Sequence, residues 1–291
     1  MDRRALVLFL GLSIAGTSFA GEFRMLDDGT GTKQVAHDGQ SVYALKENGN
    51  IWQFAGGRWQ MIDDGSGTKQ IAADAGRVYA LKNNGKLFRR TFGAWSAIGL
   101  KGSRAIAVGG KDVYTLEDND DVWMFSSATG QWSRIDNGTH TRMICADAQK
   151  GLYVLKESGN IFHHVGGTQF ELADDGTGTA QIASSGGILY ALKNNGNIYR
   201  LFGQWSMIDN GTGTKQMVAD DQSLYCLKNN GNVWMFASEN WAQVDNGSGT
   251  RQIEAKNGEL VILKENGNIF AGSAARGSDI RTANFERLYG Q

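Results

Sequence analysis

Four kinds of polar side chain recur at fixed spacing along the chain: an aspartate, a threonine five residues later, a lysine fourteen residues after that, and an asparagine two residues further on. Carboxylate, hydroxyl, ammonium and amide groups together can hydrogen-bond the hydroxyls of a sugar. The pattern therefore predicts a carbohydrate site that is repeated several times in one molecule. We take the members of three such sets as candidate ligand-binding residues: Asp63, Thr68, Lys82, Asn84, Asp174, Thr179, Lys193, Asn195, Asp209, Thr214, Lys228 and Asn230.

The same side chains also suit a structural role, because a repeated fold needs identical contacts between its units. The aspartates and two series of basic residues would then form ion pairs between units and cap turns. The two interpretations are compatible, and the structural one is favoured for these series. The series are Asp27, Asp63, Asp136, Asp174, Asp209 and Asp245; Lys33, Lys69, Arg104, Arg142, Lys215 and Arg251; and Lys46, Lys82, Lys156, Lys193, Lys228 and Lys264.

Catalytic signatures are missing from the sequence. It contains no Gly-x-Ser-x-Gly, His-Glu-x-x-His or Cys-x-x-Cys pattern. We therefore predict a protein that is not an enzyme. A lyase or hydrolase with acidic residues around a central axis is the remote alternative, since a fold does not exclude chemistry.

Two clusters carry side chains that can bind metal ions, but neither is favoured as a metal site, and no cofactor is predicted. The acidic turn Glu117–Asp121 has carboxylates that suit Ca²⁺, but no downstream glutamate completes an EF-hand loop, so a solvated acidic turn is favoured. His163 and His164 are adjacent on a strand pattern, so their side chains point to opposite faces and cannot hold one metal together.

These candidate residues sit within a unit that repeats seven times. Its tyrosine recurs at steps of 36, 35, 39, 37 and 35 residues, and Val261 takes the seventh place after a further 36. Each unit holds four short strand patterns, which glycine, asparagine and aspartate separate. A period of this length built from strands predicts an all-β, seven-bladed β-propeller with four-stranded blades. The tyrosines are Tyr43, Tyr79, Tyr114, Tyr153, Tyr190 and Tyr225.

Side-chain size predicts the order of strands within a blade. Small residues such as Ile71-Ala72-Ala73 suit the crowded axis, and the strand that carries Trp59 needs the wide outer edge. The outer tryptophans would either stack on a sugar or, as we favour, pack between blades. The last unit lacks an outer strand, and residues 23–26 form an outer strand without a blade. We therefore expect a 3+1 closure, in which residues 23–26 join the strand at residues 268–271.

The repeat resembles that of the tectonin and tachylectin propellers. The likeness lies in the outer Trp-x-x-Ile, the small Ile-Ala-Ala strand and the Val-Tyr-Ala-Leu-Lys-Asn-Asn-Gly stretch at residues 78–85, and it covers about 250 residues of the chain. This resemblance implies a sugar-binding or protein-binding module rather than an enzyme. The loop Asp-Asp/Asn-Gly-Thr/Ser-Gly-Thr departs from that family's pattern.

The ends of the chain predict export. Residues 1–20 have the basic start, short apolar run and small residues of a secretory signal peptide, cut before Gly21. Residues 21–271 would form the propeller, and residues 272–291 a tail. Cys145 and Cys226 lie two blades apart, too far for a disulfide.

Composition and charge limit the classes of partner that this protein could bind. The net charge is −1, which gives no footprint for nucleic acid, and no later segment is long and apolar enough to span a membrane. We predict a monomeric binding propeller in the periplasm, on the cell surface or outside the cell. Its expected partners are glycans, which would make it lectin-like, or alternatively a cell-surface protein, for which it would be a scaffold.

Overall fold

The structure is a computed structural model that describes residues 23–273, except residues 30, 66, 100–101, 139, 177, 212, 222 and 248. The described residues form 28 β-strands arranged in seven antiparallel sheets of four strands. Each sheet is one blade, so the all-β, seven-bladed β-propeller predicted from the sequence is confirmed. The predicted signal peptide, and the tail beyond residue 273, lie outside the described residues.

The first four blades follow the chain from the axis outward. Blade 1 contains β2 (Thr32–His37), β3 (Val42–Lys46), β4 (Ile51–Ala55) and β5 (Arg58–Asp63). Blade 2 contains β6 (Thr68–Asp74), β7 (Arg77–Lys82), β8 (Leu87–Thr91) and β9 (Ala94–Ala97). Blade 3 contains β10 (Ser103–Gly109), β11 (Asp112–Glu117), β12 (Val122–Ser126) and β13 (Gln131–Asp136). Blade 4 contains β14 (Thr141–Asp147), β15 (Gly151–Lys156), β16 (Ile161–Gly166) and β17 (Gln169–Asp174).

The remaining blades complete the ring. Blade 5 contains β18 (Thr179–Ser185), β19 (Ile188–Lys193), β20 (Ile198–Phe202) and β21 (Gln204–Asp209). Blade 6 contains β22 (Thr214–Asp220), β23 (Ser223–Lys228), β24 (Val233–Ala237) and β25 (Asn240–Asp245). Blade 7 contains β26 (Thr250–Lys256), β27 (Glu259–Lys264), β28 (Ile269–Ser273) and, as its outer strand, β1 (Phe23–Asp27).

The 3+1 closure is confirmed. In blade 7 the strand order is β26, β27, β28 and β1, and Phe23 pairs with Gly272 while Met25 pairs with Phe270. The strand β28 continues to Ser273, two residues past the predicted end, because Gly272 and Ser273 keep pairing with β27. The blade that closes the ring therefore draws its strands from both ends of the described chain.

The hydrophobic core lies between the blades. In the second strand of blade 2, Val78, Tyr79, Ala80 and Leu81 are all buried, because this strand is covered by a neighbouring blade on each face. Side chains of adjacent blades interleave; Tyr79 and Leu81, for example, pack in one cluster with Val113 of blade 3. Burial on both faces explains why the strands show little alternation of polar and apolar residues.

Glutamines tie the innermost strands of neighbouring blades together. The side chain of Gln34 accepts a hydrogen bond from Ile71 N (2.8 Å) and donates one to Ile71 O (3.0 Å). Gln216 makes the same pair of bonds with Ile253. These contacts satisfy backbone groups along the axis, and the sequence analysis did not anticipate them.

Candidate functional site

Three of the four predicted polar residues meet at the boundary between two blades, which we call a joint. At joint 4–5, Asp174 ends the outer strand of blade 4, Thr179 opens the inner strand of blade 5, and Lys193 ends its second strand. Lys193 Nζ donates to Asp174 Oδ2 (2.6 Å) and to Thr179 Oγ1 (2.8 Å). Asp174 Oδ1 accepts a hydrogen bond from Gly176 N (3.0 Å), so the same carboxylate also fixes the connecting loop.

Six of the seven joints carry this lysine–aspartate pair. The distance between lysine Nζ and aspartate Oδ2 ranges from 2.6 to 2.9 Å, and both side chains are mostly buried. These side chains therefore form the ion pairs between units that the structural interpretation predicts. The pairs are Lys46–Asp27, Lys82–Asp63, Lys156–Asp136, Lys193–Asp174, Lys228–Asp209 and Lys264–Asp245.

Joint 2–3 uses a different arrangement. Its connecting loop has no aspartate, and Glu117 stands where the other blades have the lysine. Glu117 Oε1 accepts hydrogen bonds from Ser103 Oγ (2.7 Å) and Thr115 Oγ1 (2.9 Å). A lysine at position 117 would have no aspartate in this loop to pair with. The presence of a glutamate there is consistent with the absence of that aspartate.

A pocket opens beside the ion pair at joint 4–5. It has a volume of about 500 Å³ and is lined by Asp174, Gly176, Gly178, Lys193, Asn194, Asn195, Tyr199 and Trp205. Three of these residues, Asp174, Lys193 and Asn195, were predicted as site residues. The lysine and aspartate hold each other, so the groups that remain for a ligand are the asparagines and the two aromatic rings.

The equivalent pocket at joint 5–6 has a volume of about 620 Å³. It is lined by Asp209, Gly211, Gly213, Lys228, Asn229, Asn230, Trp234 and Trp241. Each lining residue has a counterpart in the first pocket, with Trp234 in place of Tyr199. The two pockets are therefore copies of one repeated site.

Asn194 was missed by the sequence analysis. Its backbone N donates to Gly178 O (2.6 Å), which places its side chain over a glycine with a φ of +79°. The Asn194 side-chain amide makes no hydrogen bond to any described residue, so its donor and acceptor face solvent. Asn83 and Asn229 hold the same position at joints 1–2 and 5–6, and their backbone N atoms donate likewise to Gly67 O and Gly213 O.

The predicted asparagines have a second task. Asn195 Oδ1 accepts a hydrogen bond from Asn197 N (3.0 Å), which shapes the tight turn before β20. Asn84 and Asn230 bond the backbone two residues later in the same way. Asn195 and Asn230 line the pockets while they cap these turns.

The outer tryptophans pack between blades. Trp205 Nε1 donates to Ala173 O of blade 4 (3.0 Å), and Trp241 Nε1 donates to Ile208 O of blade 5 (2.8 Å). The packing role predicted for this position is confirmed. Both rings nevertheless remain partly exposed and line the two pockets, so packing and ligand contact are compatible here.

The remaining candidate, at joint 1–2, has the same core contacts. Lys82 Nζ donates to Asp63 Oδ2 (2.8 Å) and Thr68 Oγ1 (2.7 Å). Phe88 and Trp95 hold the places that Tyr199 and Trp205 hold at joint 4–5.

The acidic turn of blade 3 directs its carboxylates to separate partners. Asp120 pairs with Arg104 (2.7 Å) and Asp121 with Arg134 (3.4 Å), while Glu117 bonds Ser103. Among the described residues, no group of three or more His, Cys, Asp or Glu side chains is arranged to hold a metal ion.

The two histidines of β16 contact different groups. His163 stacks on Tyr153, with ring centroids 4.7 Å apart, and His164 packs against Phe170 at 5.1 Å.

Cys145 and Cys226 are free thiols, as predicted, and burial raises the pKa of each to about 12. No helix in the described part of the chain is long and apolar enough to cross a membrane.

No protein-family model matches the sequence, and no curated protein matches it either. The tectonin-like resemblance therefore stays a prediction. Solved structures do match in fold, among them PorZ, described as an essential surface component of the type-IX secretion system of Porphyromonas gingivalis. That match has a TM-score of 0.67 at 13% identity and covers 88% of this chain but 40% of PorZ.

Two further structures match at similar strength. Prp20p from Saccharomyces cerevisiae, studied for its binding to Gsp1p and histones, matches with a TM-score of 0.65 at 12% identity, over 87% of this chain and 85% of Prp20p. YCF48 bound to a D1 peptide matches with a TM-score of 0.63 at 14% identity, over 88% of this chain and 95% of YCF48. At these identities the likeness shows the propeller fold alone.

Proposed function

We propose that this protein is a non-enzymatic, lectin-like propeller that binds carbohydrate in the pockets between its blades. The sites at joints 4–5 and 5–6 are the primary ones, and the matching residues at joint 1–2 form a third. The observation that carries this proposal is the lining of both pockets by two aromatic rings and two asparagines.

This lining suits the two chemical faces of a sugar. The C–H face of a pyranose packs on an aromatic ring, such as Trp205, and its hydroxyls need amide donors and acceptors, such as Asn194. The lysine–aspartate pair holds the pocket walls in place. Lys193 and Asp174 therefore act as positioning residues, and contact with the sugar falls to Asn194, Tyr199 and Trp205.

Repetition of the site adds strength. A single open pocket of this kind binds a sugar weakly, but neighbouring pockets on one rigid ring engage a branched or polymeric glycan together. Linked sites raise overall affinity by about 10²–10⁴-fold when the geometry allows simultaneous contact. This suits export to the periplasm, the cell surface or the outside of the cell, where glycans are dense.

The test is a glycan array probed with the wild-type protein and with a double variant, Asn194→Ala/Asn229→Ala. The wild type should bind one class of glycan, and the double variant should lose most of that signal because each pocket loses its unpaired amide. Gln60→Ala, at an exposed position of β5, is the matched control and should bind like the wild type. An array without signal, or an equal signal from all three proteins, would contradict the proposal.

The second candidate function is a protein-interaction scaffold. It is favoured by the fold comparisons, since Prp20p is described as binding Gsp1p and histones and YCF48 as binding a D1 peptide. Such a partner would bind at one site, at the irregular blades 3 and 4 or at the tail, and free sugars would not compete. A complex of one-to-one stoichiometry that survives Asn194→Ala/Asn229→Ala would support this function in place of the first.

A further inference from the structure

Five basic residues of blades 1–3 lie at the end of the blades opposite the connecting loops. Three lie in hairpins at that end of blades 1–3: Arg58 opens β5, Arg77 opens β7, and Lys111 sits in the turn before β11. Arg89 and Arg90 lie on β8, close by. We call these five residues together with Phe92 the basic patch.

None of these five cations forms an ion pair with a described residue. The contrast with blade 5 is informative, because Arg89 and Arg200 hold the same position and lie over equivalent rings. Arg200 Cζ is 5.5 Å from the centroid of Phe236, and Arg89 Cζ is 5.6 Å from that of Phe125. Arg200 also makes a bidentate pair with Glu239 at 2.6 and 3.2 Å, whereas the hairpin of blade 3 offers Arg89 no carboxylate.

The charges of the patch act at the same end of the blades. Burial raises the pKa of the Tyr79 hydroxyl; the positive charges of Arg77 and Arg89 oppose that rise, and the negative charges of Asp74 and Asp112 add to it. Two carboxylates at this end of the blades have other partners: Asp74 pairs with Lys256 (2.7 Å), and Asp112 Oδ1 accepts a hydrogen bond from Ser127 N (3.1 Å). Neither carboxylate forms an ion pair with a cation of the basic patch, so these cations are available to a partner.

Phe92 stands at the tip of the hairpin between β8 and β9. Its relative exposure is 104%, and its φ of +49° is a conformation that L-residues adopt at a cost. Replacing this side chain should not destabilise the fold, because the ring is fully exposed. Its apolar surface is removed from water only when an apolar partner covers it.

We infer that the basic patch docks the propeller on a membrane surface that carries anionic lipid headgroups, with Phe92 inserted at headgroup depth. A projecting apolar tip with cations at the same end of the neighbouring blades fits a flat anionic surface, since the cations reach phosphates while the phenylalanine ring enters the acyl boundary. An acidic peptide would instead need a groove for its main chain, and the tip is convex. Docking through this face leaves the pockets between blades turned away from the membrane.

The test is co-sedimentation of the protein with lipid vesicles. The full chain is expressed with its own N-terminus, and the processed protein that the cells yield is used. The probes are vesicles of phosphatidylcholine alone and vesicles with about one third phosphatidylglycerol. The wild type should bind the anionic vesicles only, and about 0.5 M salt should release it because screening weakens the contact.

Substitutions locate the contact. Phe92→Ser should weaken binding about tenfold or more through the lost apolar insertion. Arg89→Gln/Arg90→Gln should weaken it about 25-fold, at about fivefold for each charge. Phe202→Ser is the matched control, since Phe202 is also an exposed phenylalanine (71%) at a hairpin tip but lies beside the neutralised Arg200. It should bind like the wild type, and thermal melts confirm that all variants are folded.

Equal binding to both kinds of vesicle, or equal losses in Phe92→Ser and Phe202→Ser, would overturn the inference. Binding to polyglutamate without binding to anionic vesicles would overturn it too, and would assign the basic patch to an acidic protein partner.

Discussion

Lys193 Nζ donates to Asp174 Oδ2 over 2.6 Å across the boundary between blades 4 and 5, and both side chains are mostly buried. The lysine donates hydrogen bonds to both Asp174 and Thr179, so it holds two blades and the loop between them. The same contact at five other joints makes it the repeated fastening of the ring, and the pockets lie beside it.

Removing this fastening should destabilise the propeller. Lys193→Met keeps the length of the side chain but leaves the buried Asp174 carboxylate without its counter-charge. We expect a loss of about 1–3 kcal/mol in the free energy of unfolding, the usual range for a hydrogen bond to a charged group. Urea denaturation measures it, with Lys86→Met as the control, since Lys86 is exposed and should change stability by less than about 0.5 kcal/mol.

The exceptional joint 2–3 gives a test of charge matching. Glu117→Lys should destabilise the protein more than Glu117→Gln, because joint 2–3 has no aspartate to receive an ammonium. We expect the gap between the two variants to be about 1–2 kcal/mol, the cost of a mostly buried and unpaired charge. Thermal melts compare the two variants directly. Equal melting temperatures would contradict the expectation that a positive charge at position 117 lacks a counter-charge.

The strand β1 should decide whether the ring stays closed. Its ladder of backbone hydrogen bonds contributes about 1 kcal/mol for each bond, and the partial burial of Phe23 contributes about 1–2 kcal/mol more, so the strand contributes about 5 kcal/mol. Deletion of residues 21–27 should therefore lower the melting temperature sharply. Met25→Ser is the control within the same strand, because Met25 is 54% exposed; an unchanged melting temperature after the deletion would refute this closure energy.

Glu254 makes stability depend on pH. Burial raises its pKa to about 7, and a hydrogen bond from Gln252 Nε2 (2.9 Å) opposes part of that rise. A carboxyl whose pKa is raised by folding does not destabilise the folded state below its unfolded pKa of about 4.3. The destabilisation grows between that pH and about pH 7, and it is constant at higher pH.

We therefore expect Glu254→Gln to match the wild type at pH 4 and to exceed its stability at pH 8 by about 1–3 kcal/mol. Denaturation at both pH values measures the difference. Glu171→Gln, at an exposed position, should show no such trend.

The repeat allowed the blades to be predicted well, and the side-chain contacts between them less well. The tyrosine period and the glycine, asparagine and aspartate residues between strand patterns predicted the number of blades and their four strands, because both signals are local in sequence. For example, the outer strand expected at residues 23–26 is Phe23–Asp27.

What the sequence left open depends on distances between blades. Whether Lys193 would face a ligand or Asp174 could not be decided without the position of the neighbouring blade. The pairing of Gln34 with Ile71, 37 residues apart, was missed for the same reason. Asn194 was overlooked because its neighbour Asn195 belongs to the more obvious turn signal.

The most direct test of the central claim is a calorimetric titration of the wild-type protein with the monosaccharide that the array identifies. We expect at least two equivalent sites for each chain, one for each aromatic pocket. Tyr199→Ala, which disables the pocket at joint 4–5 alone, should reduce the number of sites by one and leave the affinity of the others unchanged. A single site that Tyr199→Ala does not affect, or no heat with any sugar, would contradict binding between the blades.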